Sequence, residues 1–154
     1  MSRLRQLLLH ELAGLDQLQH VLEKENQALA AGSTELLPPI SEQKIACMKA
    51  LEVLEEQRRQ FVGASASDKS ARETMAAWFR GQPDKDAETL WQSVIEKSLA
   101  ARHLHEVNGQ LIVLQLGKTR EALDILTHRQ NDDSLYGSDG QSASGGGKRI
   151  SDSA

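Results

Sequence analysis

Aromatic residues are scarce in this sequence, at 3% of 154 residues, although hydrophobic residues make up 39%. A core with so few rings must be built from Leu, Ile, Val and Ala, a composition typical of packed helices rather than of β-sandwiches or barrels. Only three prolines occur and β-branched runs are nearly absent, so long helices meet few interruptions. We therefore expect an all-α fold, of a length that suits one domain with one core.

Other absences limit the compartment in which the protein is expected and the classes of partner that it could bind. The single cysteine, Cys47, excludes an internal disulfide and suits a reducing compartment. The 18 basic and 22 acidic residues are mixed along the chain, so no basic patch favours a nucleic-acid partner. The apolar run Leu7 to Leu9 is too short for a signal peptide, and no stretch reaches the roughly 20 apolar residues of a membrane span. These features predict a soluble, cytoplasmic protein.

The residues that could act in catalysis or bind a metal ion have no suitable partners at the spacing that catalytic or metal sites require. His103 and His105 are two residues apart, which on a helix turns their side chains about 200° from each other, so they cannot share a metal ion. Cys47 falls on an apolar stripe, where a small core residue is expected rather than a nucleophile. No phosphate-binding loop, Gly-x-Ser-x-Gly or His-Glu-x-x-His occurs. We expect no catalytic residue, metal site or cofactor; a pair of carboxylates or histidines from different helices stays open.

A repeat of apolar residues every seven positions predicts two long paired helices. The first is predicted from Ser2 to Ala31, closed by Gly32, and the second from Pro39 to Val62. A short connection between two such helices favours an antiparallel hairpin. The heptad positions are Leu8, Leu15, Leu22 and Leu29 in the first helix and Ile40, Cys47, Leu54 and Phe61 in the second.

The second half predicts a short helix followed by a long one. A flexible break at residues 63–67 precedes a short helix that starts at the capping box Ser70 to Glu73, ends at Gly81, and is expected to cover one end of the bundle. The last helix, predicted from Asp84 to Gln130, would be about 25 Å longer than the first. We therefore expect an elongated antiparallel helical bundle over residues 1–130 and a flexible Ser/Gly-rich tail over residues 131–154.

Two groups of residues depart from the apolar pattern of the helices. Asn108 and Gly109 are both unfavourable inside a helix. The favoured interpretation is a register-setting Asn108 with Gly109 allowing close helix contact, and a partner contact is the alternative. A dense charge run on the second helix is interpreted as a solvated face, with a docking patch as the alternative. That run contains Glu52, Glu55, Glu56, Arg58 and Arg59.

The last helix carries a second apolar row, and the tail carries apolar residues that a solubilising segment does not need. The row contains Trp91, Ile95, Leu99, Ile112, Leu116, Leu123 and Leu126. Two rows form a face wider than one partner helix requires, which indicates a surface for another protein. The candidate partner-binding residues are Asn108, Leu116, Leu123, Leu126, Leu135 and Tyr136.

Three segments together resemble the FlgN family of flagellar type III export chaperones. The first is the leading hairpin, whose second helix contains Lys44 and ends in Leu-Glu-Glu-Gln-Arg at residues 54–58. The second is Asn-Gly-Gln-Leu-Ile at residues 108–112. The third is the tail, with Leu-Tyr-Gly-Ser-Asp-Gly-Gln at residues 135–141 and Gly-Lys-Arg-Ile at residues 147–150. The resemblance extends over nearly the whole chain.

This resemblance implies a chaperone that binds the C-terminal helical regions of the hook–filament junction proteins. Such a chaperone prevents their premature assembly and delivers them to the flagellar export gate, where the resemblance gives the tail tyrosine, Tyr136, a part in docking. A self-associating structural helical protein without a client is the alternative, because the second apolar row can also close a homodimer. A weak homodimer is compatible with either function.

Overall fold

A computed structural model describes residues 1–63 and 70–137, with side chains described as far as Gln130. Four α-helices account for nearly all of these residues, and no strand occurs among them. They are α1 (Arg3–Ala31), α2 (Leu37–Phe61), α3 (Ala71–Gly81) and α4 (Lys85–Gly137), with a 3₁₀ turn at Thr34–Leu36. The all-α prediction is confirmed. Three predicted features lie outside the described residues. They are most of the break at residues 63–67, the tail beyond Gly137, and the side chains of Leu135 and Tyr136.

Side-chain caps explain where α1, α3 and α4 begin. Ser2 accepts a hydrogen bond from the backbone N–H of Arg5, and Ser70 accepts one from that of Glu73. Oδ1 of Asp84 accepts a hydrogen bond from the backbone N–H of Ala87 at 3.1 Å. Each cap satisfies an N–H that has no partner within the first turn. At its other end α1 closes on Gly32, whose φ of 70° is the left-handed conformation predicted for it.

Two helix boundaries differ from the predictions. The second helix starts at Leu37 rather than Pro39, with proline in its first turn; the N–H groups of that turn need no helical partner, so proline is tolerated there. The last helix ends at Gly137 rather than Gln130, because no glycine or proline interrupts residues 131–136. No helix among the described residues is long and apolar enough to cross a membrane.

The chain divides into two units, residues 1–111 and residues 112–154. In the first unit α1 is central, since its predicted heptad leucines are all buried. The larger core cluster joins all four helices, and the short α3 contributes Met75 to it. The buried members are Leu4, Leu8, Leu15, Leu51, Met75, Ala87, Trp91 and Val94. A smaller cluster of Val21, Ala28 and Ile40 packs near the α1–α2 turn, with Cys47 half-buried against it.

Contacts between helices fix their directions. Between α1 and α2, Glu25 meets Lys44, whereas Glu11 meets Arg58, so the pairing is antiparallel as predicted. Between α1 and α4, Arg5 meets Asp84 and Asn26 meets Asn108, so these two helices run parallel. An ion pair between Asp16 and Lys97 lies between these two contacts. The first unit is therefore built on α1, with one antiparallel and one parallel neighbour.

Close helix contact occurs at Gly14 and not at Gly109. A methyl group placed on Gly14 would lie 2.9 Å from Cδ2 of Leu51 on α2, whereas one placed on Gly109 meets nothing within 4 Å. The prediction that Gly109 allows close helix contact is therefore wrong. The absence of a side chain at Gly14 lets Leu51 of α2 pack directly onto α1.

This difference predicts opposite effects at the two glycines. Gly109→Ala should stabilise the protein by up to about 1 kcal/mol, because alanine is the better helix former and the site is open. Gly14→Val should destabilise it by about 1–3 kcal/mol, because the added methyl groups must displace Leu51. Urea unfolding followed by circular dichroism measures both. Equal effects at the two positions would contradict the assignment of the contact to Gly14.

The start of α4 is held by a bidentate ion pair. Arg5 donates from Nη2 to Oδ1 of Asp84 at 2.7 Å and from Nε to Oδ2 at 3.0 Å. Its Nη1 lies 3.1 Å from the carboxylate of Asp86. The hydrogen bond from Arg5, followed by that from the Ala87 backbone, lowers the pKa of the Asp84 carboxyl below its ordinary value.

Because the pKa of Asp84 is lower in the folded state, its contribution to stability is present above the ordinary aspartate range and is lost as the pH falls below it. Asp84→Asn keeps a capping side chain but removes the charge. We expect the variant to melt below the parent at pH 7 and to approach it as the pH falls below about 4. A melting-temperature difference that stays constant from pH 7 to pH 3 would contradict this role of the ion pair.

Candidate functional site

Among the side chains of α4 described as far as Gln130, Asn108 is the most buried polar one, at 1% exposure. Its Nδ2 donates to the backbone carbonyl of Leu22 and to Oε1 of Glu25, both at 2.9 Å. Its Oδ1 accepts a hydrogen bond from Asn26 at 3.0 Å. These three contacts all reach α1, so a shift of α4 along α1 would leave buried polar groups unpaired. The geometry fits the register-setting interpretation.

Glu25 extends this network to a third helix. Its Oε2 accepts a hydrogen bond from Nζ of Lys44 on α2 at 2.8 Å, while its Oε1 accepts the one from Asn108. Both side chains of the ion pair are largely buried. One carboxylate thus joins α1, α2 and α4 at the same level. Sequence periodicity could not indicate this, because Glu25 and Lys44 look like ordinary surface charges on their own helices.

Arg58 occupies a second buried network and not a solvated face. Its Nε donates to Oε1 of Glu11 at 2.6 Å, and both side chains are at most 5% exposed. The guanidinium carbon lies 4.7 Å from the ring centre of Trp91, a cation–π contact. The interpretation of the α2 charge run as wholly solvated is therefore wrong at Arg58. It fits Glu56 and Arg59, which form an exposed pair on the same helix.

The buried pair is not fully satisfied. Burial raises the pKa of the Glu11 carboxyl, and the hydrogen bond from Arg58 opposes that change only in part. Arg58 Nη1 is buried without a hydrogen-bond partner. An orphaned buried donor costs about 1–3 kcal/mol.

The second unit presents an apolar row to solvent. Leu116, Leu123 and Leu126 are 56%, 57% and 55% exposed, and Ile112 lies on the same side. At 100° per residue these four side chains fall within about 80° of helix surface. Leu114 and Ile125 are also exposed but lie on the opposite side of the helix. We call the four-residue set the α4 row.

The sequence-predicted site residues are therefore in different environments. Asn108 is inside the first unit, and the three leucines are on the surface of the second. Residues 135 and 136 belong to α4 by their backbone. Among the described residues no cluster of three or more histidine, cysteine or acidic side chains could hold a metal ion. The leucines of the α4 row form an exposed apolar surface.

Comparison with known proteins gives a consistent result. The family model described as FlgN protein matches residues 1–144. Over 98% of the chain, the sequence is 32% identical to the flagella synthesis protein FlgN of Salmonella typhimurium and 30% identical to that of Escherichia coli strain K12, covering 99% of each protein. It is 29% identical to the protein of the same name from Proteus mirabilis, over 92% of this chain and 90% of that protein. No solved structure matches.

The network around Asn108 predicts a graded loss of stability. Asn108→Ala should cost about 2 kcal/mol, because Leu22, Glu25 and Asn26 lose their partner. Asn108→Asp should cost more, since it has no donor for Leu22 and places a second carboxylate beside Glu25. Gln110→Ala, two positions away on the exposed side, is the control and should change stability by less than about 0.5 kcal/mol. Urea unfolding measures all three, and an Asn108→Ala variant as stable as the control would contradict the register role.

Proposed function

This chain belongs to the FlgN family of flagella synthesis proteins, and we propose that it is a cytoplasmic export chaperone. In this proposal it binds hook–filament junction proteins, prevents their premature assembly and delivers them to the flagellar type III export apparatus. The flagellar role follows from membership of the FlgN family. The client, the delivery step and the location are the proposal, and the α4 row is the observation that supports it.

The energetics of the α4 row favour a protein partner. Burying a leucine side chain contributes about 1.5–3 kcal/mol. Leu116, Leu123 and Leu126 are each more than half exposed in the isolated chain, so covering them would release a substantial part of that free energy. Part of the gain offsets the entropy lost on association. The remainder suits a complex that forms in the cytoplasm and is released at the export gate.

The spacing of the row selects the kind of partner. Ile112, Leu116, Leu123 and Leu126 lie at i, i+4, i+11 and i+14, and steps of three, four and seven residues keep side chains on one helix face, as when one amphipathic helix packs along another. The proposed occupant is therefore a C-terminal helix of a junction protein, whose apolar face would be exposed before assembly. Leu135 and Tyr136 are proposed to extend this contact, with Tyr136 also docking at the export gate. Asn108 contributes by holding α4 in register on α1.

The test is titration of a purified junction protein into the full chain in a calorimeter. Leu116→Ser combined with Leu123→Ser should weaken binding by tenfold or more, about 1.4 kcal/mol, because both side chains would be buried by the client. Truncation after Gln130 should also weaken binding, while the helical signal falls by no more than the seven residues of α4 that are removed. Unchanged binding after truncation would remove Leu135 and Tyr136 from the client surface.

The opposite side of the same helix supplies a matched control. Leu114→Ser combined with Ile125→Ser removes two side chains of 61% and 59% exposure without touching the row. This variant should bind the junction protein within about twofold of the parent, a difference of about 0.4 kcal/mol. Equal losses for the two double variants would show that the chain has no client-specific row.

The alternative is a structural protein whose α4 row closes a homodimer. The exposed row favours this function as well, since a second copy supplies an identical apolar surface. Sedimentation of the pure protein separates the two. A dimer that persists at nanomolar concentration and excludes the junction protein supports the structural role. A monomer, or a loose dimer that the junction protein dissociates, supports the chaperone.

A further inference from the structure

Helix α3 is joined to the other helices of the first unit by apolar contacts alone. Of its 11 residues, only Met75 is buried, and it belongs to the larger core cluster. Trp78 is half-buried against that cluster, and its ring centre lies 5.4 Å from that of Phe61 on α2. In the part of the chain that the structure describes, no hydrogen bond or ion pair links residues 71–81 to another helix.

The polar contacts of α3 lie within its own first turn. The side chain of Ser70 accepts a hydrogen bond from the backbone N–H of Glu73, and its carbonyl accepts one from the hydroxyl of Thr74. Arg72, Glu73 and Arg80 are exposed, and none of them forms an ion pair among the described residues. Detaching α3 from the other helices therefore breaks none of the buried polar contacts described above.

The three longer helices are joined differently. Glu25 of α1 contacts both Lys44 of α2 and Asn108 of α4, and Glu11 of α1 is paired with Arg58 of α2. A partial separation of α2 or α4 from α1 would leave charged or amide groups buried without partners, which is unfavourable. We call α1, α2 and the part of α4 in the first unit the framework.

Open space adjoins α3 along its length. A groove of about 550 Å³ lies between Phe79 of α3 and Trp91 and Ile95 of α4. A second cavity, of about 260 Å³, is bounded by Ala71 and Arg72 at the start of α3. Helix α3 is therefore not enclosed by other helices, and it loses few contacts on leaving the framework. With 11 residues it is also shorter than the ~12–15 residues at which an isolated helix becomes marginally stable in water.

We propose that α3 is a lid that opens as a unit while the framework stays folded. Opening exposes Met75, Trp78 and the ring of Phe61 to water, and its cost is set by apolar surface alone. Because α3 is too short to be stable in isolation, it unfolds when it opens. The open state presents the apolar end of the larger core cluster, which the closed state covers. This lid is independent of the proposed client of the α4 row.

Hydrogen exchange of the full chain, followed by mass spectrometry, tests the lid. After correction for intrinsic rates, the amides of residues 75–81 should exchange roughly 100-fold or more faster than those of residues 15–29 in α1, because the lid opens without global unfolding. Urea well below the unfolding midpoint should accelerate exchange in α1 and hardly change it in α3, since opening the lid exposes less surface than global unfolding does. Equal protection of the two segments would overturn the proposal.

Matched variants separate opening of the lid from unfolding of the framework. Trp78→Ala should accelerate exchange of residues 75–81 by about tenfold or more and leave residues 15–29 unchanged, because its ring contact exists only in the closed state. Val21→Ala, in the smaller cluster that contains no residue of α3, should do the reverse. Arg80→Gln, at an exposed position of α3, is the control and should change neither segment by more than about threefold.

The outcome for Trp78→Ala decides the proposal. If this variant has equal effects on the two segments, whether it accelerates both or neither, α3 unfolds only together with the framework and the lid is overturned. Circular dichroism of each variant verifies that the framework is folded. The comparison of the two segments in the parent chain needs no variant, so the proposal stays testable if Trp78→Ala does not fold.

Discussion

Among the polar contacts described between α1 and α4, the one made by the side-chain amide of Asn108 is the most deeply buried. Asn108 offers two donors and an acceptor, and α1 supplies a partner for each through Leu22, Glu25 and Asn26. An apolar side chain would tolerate a shift of α4 along α1, because leucine stripes offer similar packing at successive turns. A buried amide does not tolerate such a shift. Each polar group that loses its hydrogen bond stays buried, and the cost of removing it from water is then no longer compensated. The packing of the first unit therefore follows from a polar contact that adds little net stability but permits few alternatives.

The Glu11–Arg58 pair has the same effect on α2. A buried ion pair is often no more stable than apolar residues of the same volume, but a shift that separates the charges is strongly unfavourable. Arg58 also stacks on Trp91 of α4, so one guanidinium connects α1, α2 and α4. Together with Glu25 and Lys44, it fixes the antiparallel hairpin at two levels. Gly14 lies between these levels, where Leu51 packs directly onto α1.

Local patterns in the sequence predicted the helices, their caps and the buried face of α1, because caps and heptads depend on residues close together in the chain. The same patterns failed where the cause was long-range. Gly109 appeared to be the contact glycine because it lies in a long apolar helix, but Gly14 faces Leu51. Arg58 appeared solvated because its neighbours in sequence are charged, but its partners are 47 and 33 positions away, at Glu11 and Trp91. The leucines of the α4 row were found by periodicity, whereas the polar networks around Glu25 and Arg58 each need three helices to exist.

Burial is distributed unevenly between α1 and α2. Helix α1 buries ten side chains, whereas α2 of similar length buries three. Helix α1 is therefore covered on most of its sides, whereas the buried residues of α2, which are Ile40, Leu51 and Arg58, lie along one edge of that helix. The apolar residues of α2 are therefore divided between a covered edge at Leu51 and an open one at Met48. Because the polar networks around Glu25 and Arg58 join both flanking helices to α1, neither flanking helix can shift along α1 without leaving buried charged or polar groups unpaired.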